Sequence, residues 1–578
     1  MNAAFSLLVN VVDIRGRTIF PATVQVADGR IQAILPTGAG VPDPALPYAL
    51  PGFVDAHVHV ESSLLVPTEF ARLAVAHGTV ATVSDPHEIG NVLGVAGVEY
   101  MLANAQLSPF KFCFGAPSCV PATPFETAGA EITPADIKRL FDNPEIGYLA
   151  EMMNWPGVLN RDPLVMEKIS IAQRAGRPVD GHAPGLLGAD ATRYASAGIS
   201  TDHECFTAGE ARDKLAAGMK ILIREGSAAR NFDALIELLP EHYENLMFCS
   251  DDKHPDTLVP GHIDQLVRRA VALDHDVFQV LQVACLNPVA HYRLPVGGLR
   301  EGDAADFIVV NNLTDFQTRQ TYLNGELVAE NGQSLLPAVA IEVINNFHAQ
   351  PVKAADFELR HEEISAGNEA SKAGSQALDA ASAPLISAGP RLNVIECFDG
   401  QLITGCLNWP ACVENRILTA DVAADVLKLA VVNRYAASAP PAVAFIRGFG
   451  LKQGALASSV GHDSHNITAV GCDDESLARA VNLVIQAKGG LAAVGPAGRE
   501  LLLPLPVAGL MSDQPGPAVA AAYSAIDKLA KELGSSLEAP FMTLSFMALL
   551  VIPKLKLSDL GLFDGEAFRF VGLVKKEA

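Results

Sequence analysis

A chain of 578 residues exceeds what one hydrophobic core supports, so two to four domains are expected. With 49% apolar and 19% charged residues it has the profile of a well-packed soluble protein. A formal net charge of −23, with no basic cluster, repels phosphate backbones and argues against nucleic acid as a main partner.

The nine cysteines lie scattered without C-x-x-C pairs. That pattern points to free thiols in a reducing cytoplasm and away from a cysteine-bound zinc. Met1–Asn10 has no basic start followed by an apolar run and a cleavage site, so no signal peptide is expected. The most apolar late stretch, Phe541–Pro553, is too short and too interrupted to span a bilayer. The expectation is a soluble cytoplasmic protein with no membrane partner.

In chain order, Ser6–Asp13, Thr18–Val26 and Arg30–Ile34 read as short strands, the last after the turn Asp28-Gly29. A similar pattern returns in Gly302–Val310 and Gln320–Glu330. Two such flanks around a long insert are expected to pair into one small β domain, 1–50 with 293–350. Between them, over 51–292, run eight apolar segments each followed by a helical stretch. They are Gly52–His57, Thr79–Ser84, Lys111–Gly115, Gly147–Glu151, Pro178–His182, Ile199–His203, Met219–Arg224 and Leu246–Asp251. Eight strands over that length suit a (β/α)8 barrel, and five of them end on His, Asp or Glu. A site assembled at the C-terminal mouth of a barrel explains such endings. Residues 351–386, rich in Ala, Ser, Glu and Lys, read as a linker. From 387 to 578 an additional α+β domain follows, with a helix expected near Asp421–Ala436.

The chemistry concentrates at the strand ends. In Asp55-Ala56-His57-Val58-His59 the two histidines are two apart, so on a strand both face the barrel axis. Such a pair is half of a transition-metal site, although a lone His-x-His is as readily chance. Glu151, His182, His203 and Asp251 close four further strands. Together they make a ligand set for two divalent cations bridged by Glu151. Burying so many ionisable groups without a metal costs roughly several kcal/mol each.

Five segments carry a family resemblance: His57–Ser63, Ser84–Val92, Arg224–Asn231, Gly461–Asn466 and Leu505–Asp513. With the closing Gly302-Asp303-Ala304-Ala305-Asp306, they resemble the amidohydrolase superfamily and, within it, the bacterial adenine deaminases. The resemblance spans nearly the whole chain, including a C-terminal domain that ordinary amidohydrolases lack. It implies an α/β fold: a (β/α)8 TIM-like amidohydrolase barrel, a small β-sandwich domain from both flanks of the barrel, and an additional α+β C-terminal domain. It also implies hydrolysis of adenine to hypoxanthine and ammonia by a metal-activated hydroxide attacking C6, in purine salvage.

Carried over position by position, His57, His59, Glu151, His182, His203 and Asp251 are implied as ligands of two divalent ions. Manganese is favoured, with iron or zinc admitted. Asp251 doubles as proton shuttle, and Glu204, Asp252, Glu88 and His87 stand as alternatives for protonating N1. His87, Arg224, His462 and His465 are implied in substrate binding. Many relatives bridge their metals with a strand-four lysine; here Glu151 stands in that place and no lysine follows before Lys168. The glutamate that adenosine deaminases carry three residues after the strand-five histidine is absent, since Ala183-Pro184-Gly185 follows His182. Ser250 stands where threonine is expected. A dihydroorotase or hydantoinase type of cyclic-amide hydrolase and a non-catalytic scaffold of the same fold are the rival readings. Homodimerisation is the default expectation for assembly.

Overall fold

The computed structural model describes residues 4–37, 40–227, 229–360 and 390–575. They form two compact units. The first comprises Met1–Ala122, Ala130–Val343 and Met511–Ala521; the second comprises Thr123–Gly129, Ile344–Leu510 and Ala522–Ala578.

The first unit opens with strands β1 (Phe5–Asp13), β2 (Thr18–Ala27), β3 (Arg30–Pro36) and β4 (Tyr48–Pro51). Eight parallel strands follow: β5 (Phe53–Val58), β6 (Thr79–Ser84), β7 (Lys111–Ala116), β8 (Ile146–Met152), β9 (Val179–Gly181), β10 (Thr201–Asp202), β11 (Lys220–Arg224) and β12 (Leu246–Cys249). Each falls on one of the eight segments expected from the sequence. They pair in order from β5 to β9 and from β10 to β12. Ser200 N donates to Val179 O at 2.8 Å across the β9–β10 gap, and Asp251 N donates to His57 O at 2.9 Å where the last strand returns to the first. The sheet therefore closes on itself.

These strands are buried on both faces, β5 and β6 at all six positions, because helices cover the outside and side chains fill the inside. That is why they read as near-continuous apolar runs. The helix Pro163–Arg174 shows how the covering layer starts: Asp162 caps the amides of Leu164 and Val165, and Pro163 sits where a missing N–H costs nothing. Gly181 ends β9 where any side chain would meet Thr201 O of β10, so the neighbouring backbone can approach next to His182.

The chain then returns through β13 (Phe307–Val310), β14 (Thr318–Leu323), β15 (Glu326–Glu330) and β16 (Gln333–Ser334). Together the two flanks make one eight-stranded sheet in the order β16-β15-β14-β13-β4-β1-β2-β3. Phe5 of β1 stacks on Tyr322 of β14 with centroids 5.2 Å apart although two strands lie between them, so the sheet curls over its own core.

In the second unit an eight-stranded sheet carries the helix Asp474–Ala487, whose face of Leu477, Ala480, Val481 and Val484 is buried. The helix expected near Asp421–Ala436 is not there. Val426–Val432 is a strand, buried at all seven positions and paired on both sides, and tertiary burial overrides local propensity. The β flank expected to run to residue 350 leaves the first unit at Val343. Beyond it Asn345 donates to Lys488 O and Pro506 O, which ties this segment to the second unit. Of the linker expected over 351–386, residues 361–386 lie outside the described residues; before them come a short 3-10 turn, Ala354–Phe357, and the strand Leu359–Arg360. Phe541–Pro553 holds the short buried helix Pro540–Ser545. Among the described residues no helix is long and apolar enough to cross a membrane.

Candidate metal centre

At the C-terminal ends of the barrel strands, five imidazoles converge on one carboxylate. Glu151 Oε2 lies 2.9 Å from His182 Nδ1 and 3.0 Å from His203 Nε2, with His57 Nε2 at 4.0 Å. Its Oε1 lies 3.6 Å from His59 Nε2 and 3.4 Å from His87 Nδ1. His57 and His59 sit two apart at the end of β5, with Nε2 atoms 3.2 Å from one another. His57 stacks on His203 at 4.1 Å between centroids. Asp251 closes the ring, with Oδ1 3.3 Å from His59 Nε2 and 3.8 Å from His57 Nε2.

Every one of these groups is buried, and each shows it in its proton affinity. Burial pushes the Glu151 carboxyl up, but the neighbouring His182 and His203 outweigh it and hold it well below the usual range. Burial likewise opposes ionisation of Asp251, and the Arg224 guanidinium and the His59 hydrogen bond overcome it. His57 moves the other way: burial and the nearby His203 and His59 keep it well below the ordinary imidazole value. His182 is raised to about 9, because Glu204 and Glu151 outweigh its burial.

The residues fit a divalent metal. The ligand atoms of His57, Glu151 and His203, of His57, His59 and Asp251, and of His182, His203 and Glu204 lie in groups within 4.8 Å. His57 Nδ1 and His182 Nε2 are buried and, among the described residues, have no hydrogen-bond partner. Shared protons satisfy one pair of imidazoles, not a ring of them around a carboxylate, whereas imidazole nitrogen with carboxylate oxygen suits a borderline transition ion.

The remaining expected residues fall into four places. Arg224, expected to bind substrate, is 3% exposed and commits Nη1 to Glu204 Oε1 and to Asp251 Oδ2, the latter at 2.5 Å. It holds two carboxylates of the centre. Glu204, a candidate for the N1 proton, takes both Nη donors of Arg224 and lies 3.6 Å from His203 Nε2. Asp252 accepts from Ser62 Oγ at 2.5 Å. His87 and Glu88 begin a short helix, with His87 Nε2 3.5 Å from Glu88 Oε1. Burial disfavours the charged form of His87, yet Asp85 and Glu88 raise it well above its ordinary value. His462 and His465 belong to the second unit. There His465 Nδ1 accepts from Gly461 N at 3.3 Å and His462 N donates to Ser545 O at 2.9 Å. The buried Arg434 guanidinium holds that loop by donating to His465 O, and to Ala508 O at 2.5 Å.

Sequence reasoning missed several residues. Asp85, at the end of β6, accepts from His87 N and from Glu151 N and lies 3.2 Å from His87 Nδ1. Its signal was the same as for the others: an acid closing an apolar strand. Asn231 accepts from Arg224 N and donates to His203 O and Cys205 O, tying two loops together. Nothing local announces such a role.

The amidohydrolase family model matches residues 48–328 and the adenine deaminase C-terminal domain model matches residues 401–569. An adenine deaminase of Salinibacter ruber is 55% identical over 99% of both chains. One of Sulfurovum sp. is 52% identical over 97% of this chain and 98% of its own. One of Borreliella burgdorferi is 44% identical over 98% and 99%. The chain belongs to the adenine deaminase family. In this family member the strand-four position is filled by Glu151, at the centre of the imidazole ring.

Proposed function

We propose that the chain hydrolyses adenine to hypoxanthine and ammonia, with two divalent ions held by His57, His59, Glu151, His182, His203 and Asp251. The observation that carries this is Glu151, whose two oxygens face different imidazoles, His182 and His203 on one side and His59 on the other. That is the disposition of a bridging carboxylate. Divalent cations bound there bring the pKa of water toward neutrality and supply Lewis acidity.

The chain's own groups then handle the protons. Asp251, held ionised by Arg224, accepts the proton of the water that adds to C6. It returns that proton to the departing amine. Of the groups named for N1, Glu204 is occupied by Arg224 and Asp252 by Ser62. His87, kept protonated beside Glu88, gives N1 its proton in this reading and is restored by the C6 hydroxyl proton released as the carbonyl forms and ammonia leaves. Manganese as the native metal, a role in purine salvage, a cytoplasmic location and a homodimer belong to the same proposal; all nine cysteines are free thiols, as a reducing compartment leaves them.

The test is turnover by purified chain reconstituted with Mn²⁺, followed by chromatography of hypoxanthine and assay of ammonia. Conversion of adenine with no opening of dihydroorotate or hydantoin is the expected result. Ring opening of a cyclic amide with adenine untouched would overturn it.

A further inference from the structure

Behind the imidazole ring lies a second buried cluster with no ligand to hold. Asp55, two residues before His57, is fully buried, and its carboxylate gathers four donors from three elements. Oδ1 accepts from Ser250 N at 3.0 Å and from His57 N at 3.4 Å. Oδ2 accepts from Ser250 Oγ and from His262 Nε2, the latter at 2.7 Å. His262, also fully buried, stands just before the helix Ile263–Ala272. Its other ring nitrogen, Nδ1, lies 2.8 Å from the Thr79 hydroxyl of β6.

The cluster sits on the seam where the barrel closes. Between β5 and β12 the backbone supplies Asp251 N to His57 O at 2.9 Å and His59 N to Asp251 O at 3.4 Å. Asp251 itself has φ +53°, a left-handed conformation that aspartate adopts more readily than most residues with a side chain. Asp55 anchors the backbone just before it, accepting from both the amide and the hydroxyl of Ser250.

We propose that Asp55 and His262 are a positioning pair that fixes Asp251 in its left-handed conformation and so aims its carboxylate at the centre. This rests on the reading of Asp251 as the proton acceptor. It also accounts for Ser250 where threonine was expected: either side chain offers the hydroxyl that Asp55 takes.

Steady-state kinetics of the Mn²⁺-loaded chain with adenine test it, with metal content and unfolding measured on the same samples. Asp55→Asn is expected to lower kcat by about 10–100-fold, the cost typical of outer-shell partners, while KM for adenine moves less than about threefold. His262→Gln, which keeps a donor, is milder than His262→Ala, and Ser250→Thr rescues most of what Ser250→Ala loses. Should Asp55→Asn fail to fold, Ser250→Ala, which removes a hydrogen bond and no charge, reads the same link. A purely structural cluster lowers stability alone; kcat per metal-loaded folded chain that stays within about threefold across this set overturns the proposal. If the unsubstituted chain fails to turn over adenine, the functional reading falls instead.

Discussion

Glu151 meets imidazoles from the ends of four strands, β5, β6, β9 and β10, so the cost of assembling the centre is shared between them. Removing one imidazole takes a ligand away without touching the barrel core, because His57 and His59 lie at the strand end among other polar groups. His57→Ala and His59→Ala are therefore expected to lose bound metal while keeping the far-ultraviolet dichroism of the parent, checked by elemental analysis and spectroscopy side by side. Asp251 and Asp252 separate more sharply. β12 ends at Cys249, and the left-handed Asp251 beyond it faces the imidazoles. Asp252 is held by Ser62 instead. Losing a general base costs about 10²–10⁴ in rate. Asp251→Asn is expected to lower kcat by roughly a thousandfold or more with adenine binding little changed, and Asp252→Asn to cost much less. The reverse order, read from kcat of the two variants, would assign the proton to Asp252.

At the scale of elements, the loops after β9 and β10 carry His182 and His203 and are joined by one buried ammonium. Lys214, in the helix Ala208–Ala216, donates to Ala183 O at 2.7 Å and to Glu210 Oε1 at 2.9 Å, and lies 3.0 Å from Asp202 Oδ1. Asp202 in turn accepts from Ala183 N and Glu204 N, and Glu210 from Gly185 N and Phe206 N. Breaking a buried pair from one side typically costs about 3–5 kcal/mol, because the partner charges stay behind. Lys214→Met should therefore lower unfolding stability by about that amount and weaken metal retention at His182 and His203, seen by denaturant titration and metal analysis. Much of this level was legible beforehand. A parallel strand buried on both faces announces itself as an apolar run, and a ligand at its end as the polar residue that stops the run. The pairs that hold those ligands leave no such trace: His262 and Asp55 are 207 residues apart, and only the closed barrel brings them together. Val426–Val432 misled for a related reason, since a short apolar run fits a buried helix or a buried strand until its neighbours are known.

For the molecule as a whole, two compact units mean that stability is not one number and that each unit carries its own dependence on conditions. In the second unit Lys556 is fully buried. Its ammonium donates to Leu402 O at 2.7 Å and Phe546 O at 2.9 Å, and burial pushes it from the ordinary 10.5 down to about 7. The sign follows from proton counts. Between about 7 and 10.5 the unfolded chain holds a proton on this lysine that the folded chain lacks, so its contribution makes folding more favourable as pH rises through that window. Below about 7 both states are protonated and the full cost of the buried charge is present. The slope from this one group approaches about 1.4 kcal/mol per pH unit inside the window. Lys556→Met removes the ionisation together with two hydrogen bonds to carbonyls. Amide exchange of the strand Leu555–Ser558, followed between pH 7 and 9.5 after correction for the intrinsic rate, should gain protection with pH in the parent and stay nearly flat in the variant. Equal slopes in the two chains would mean that Lys556 keeps its proton when folded and that the two carbonyls alone suffice to hold a buried charge.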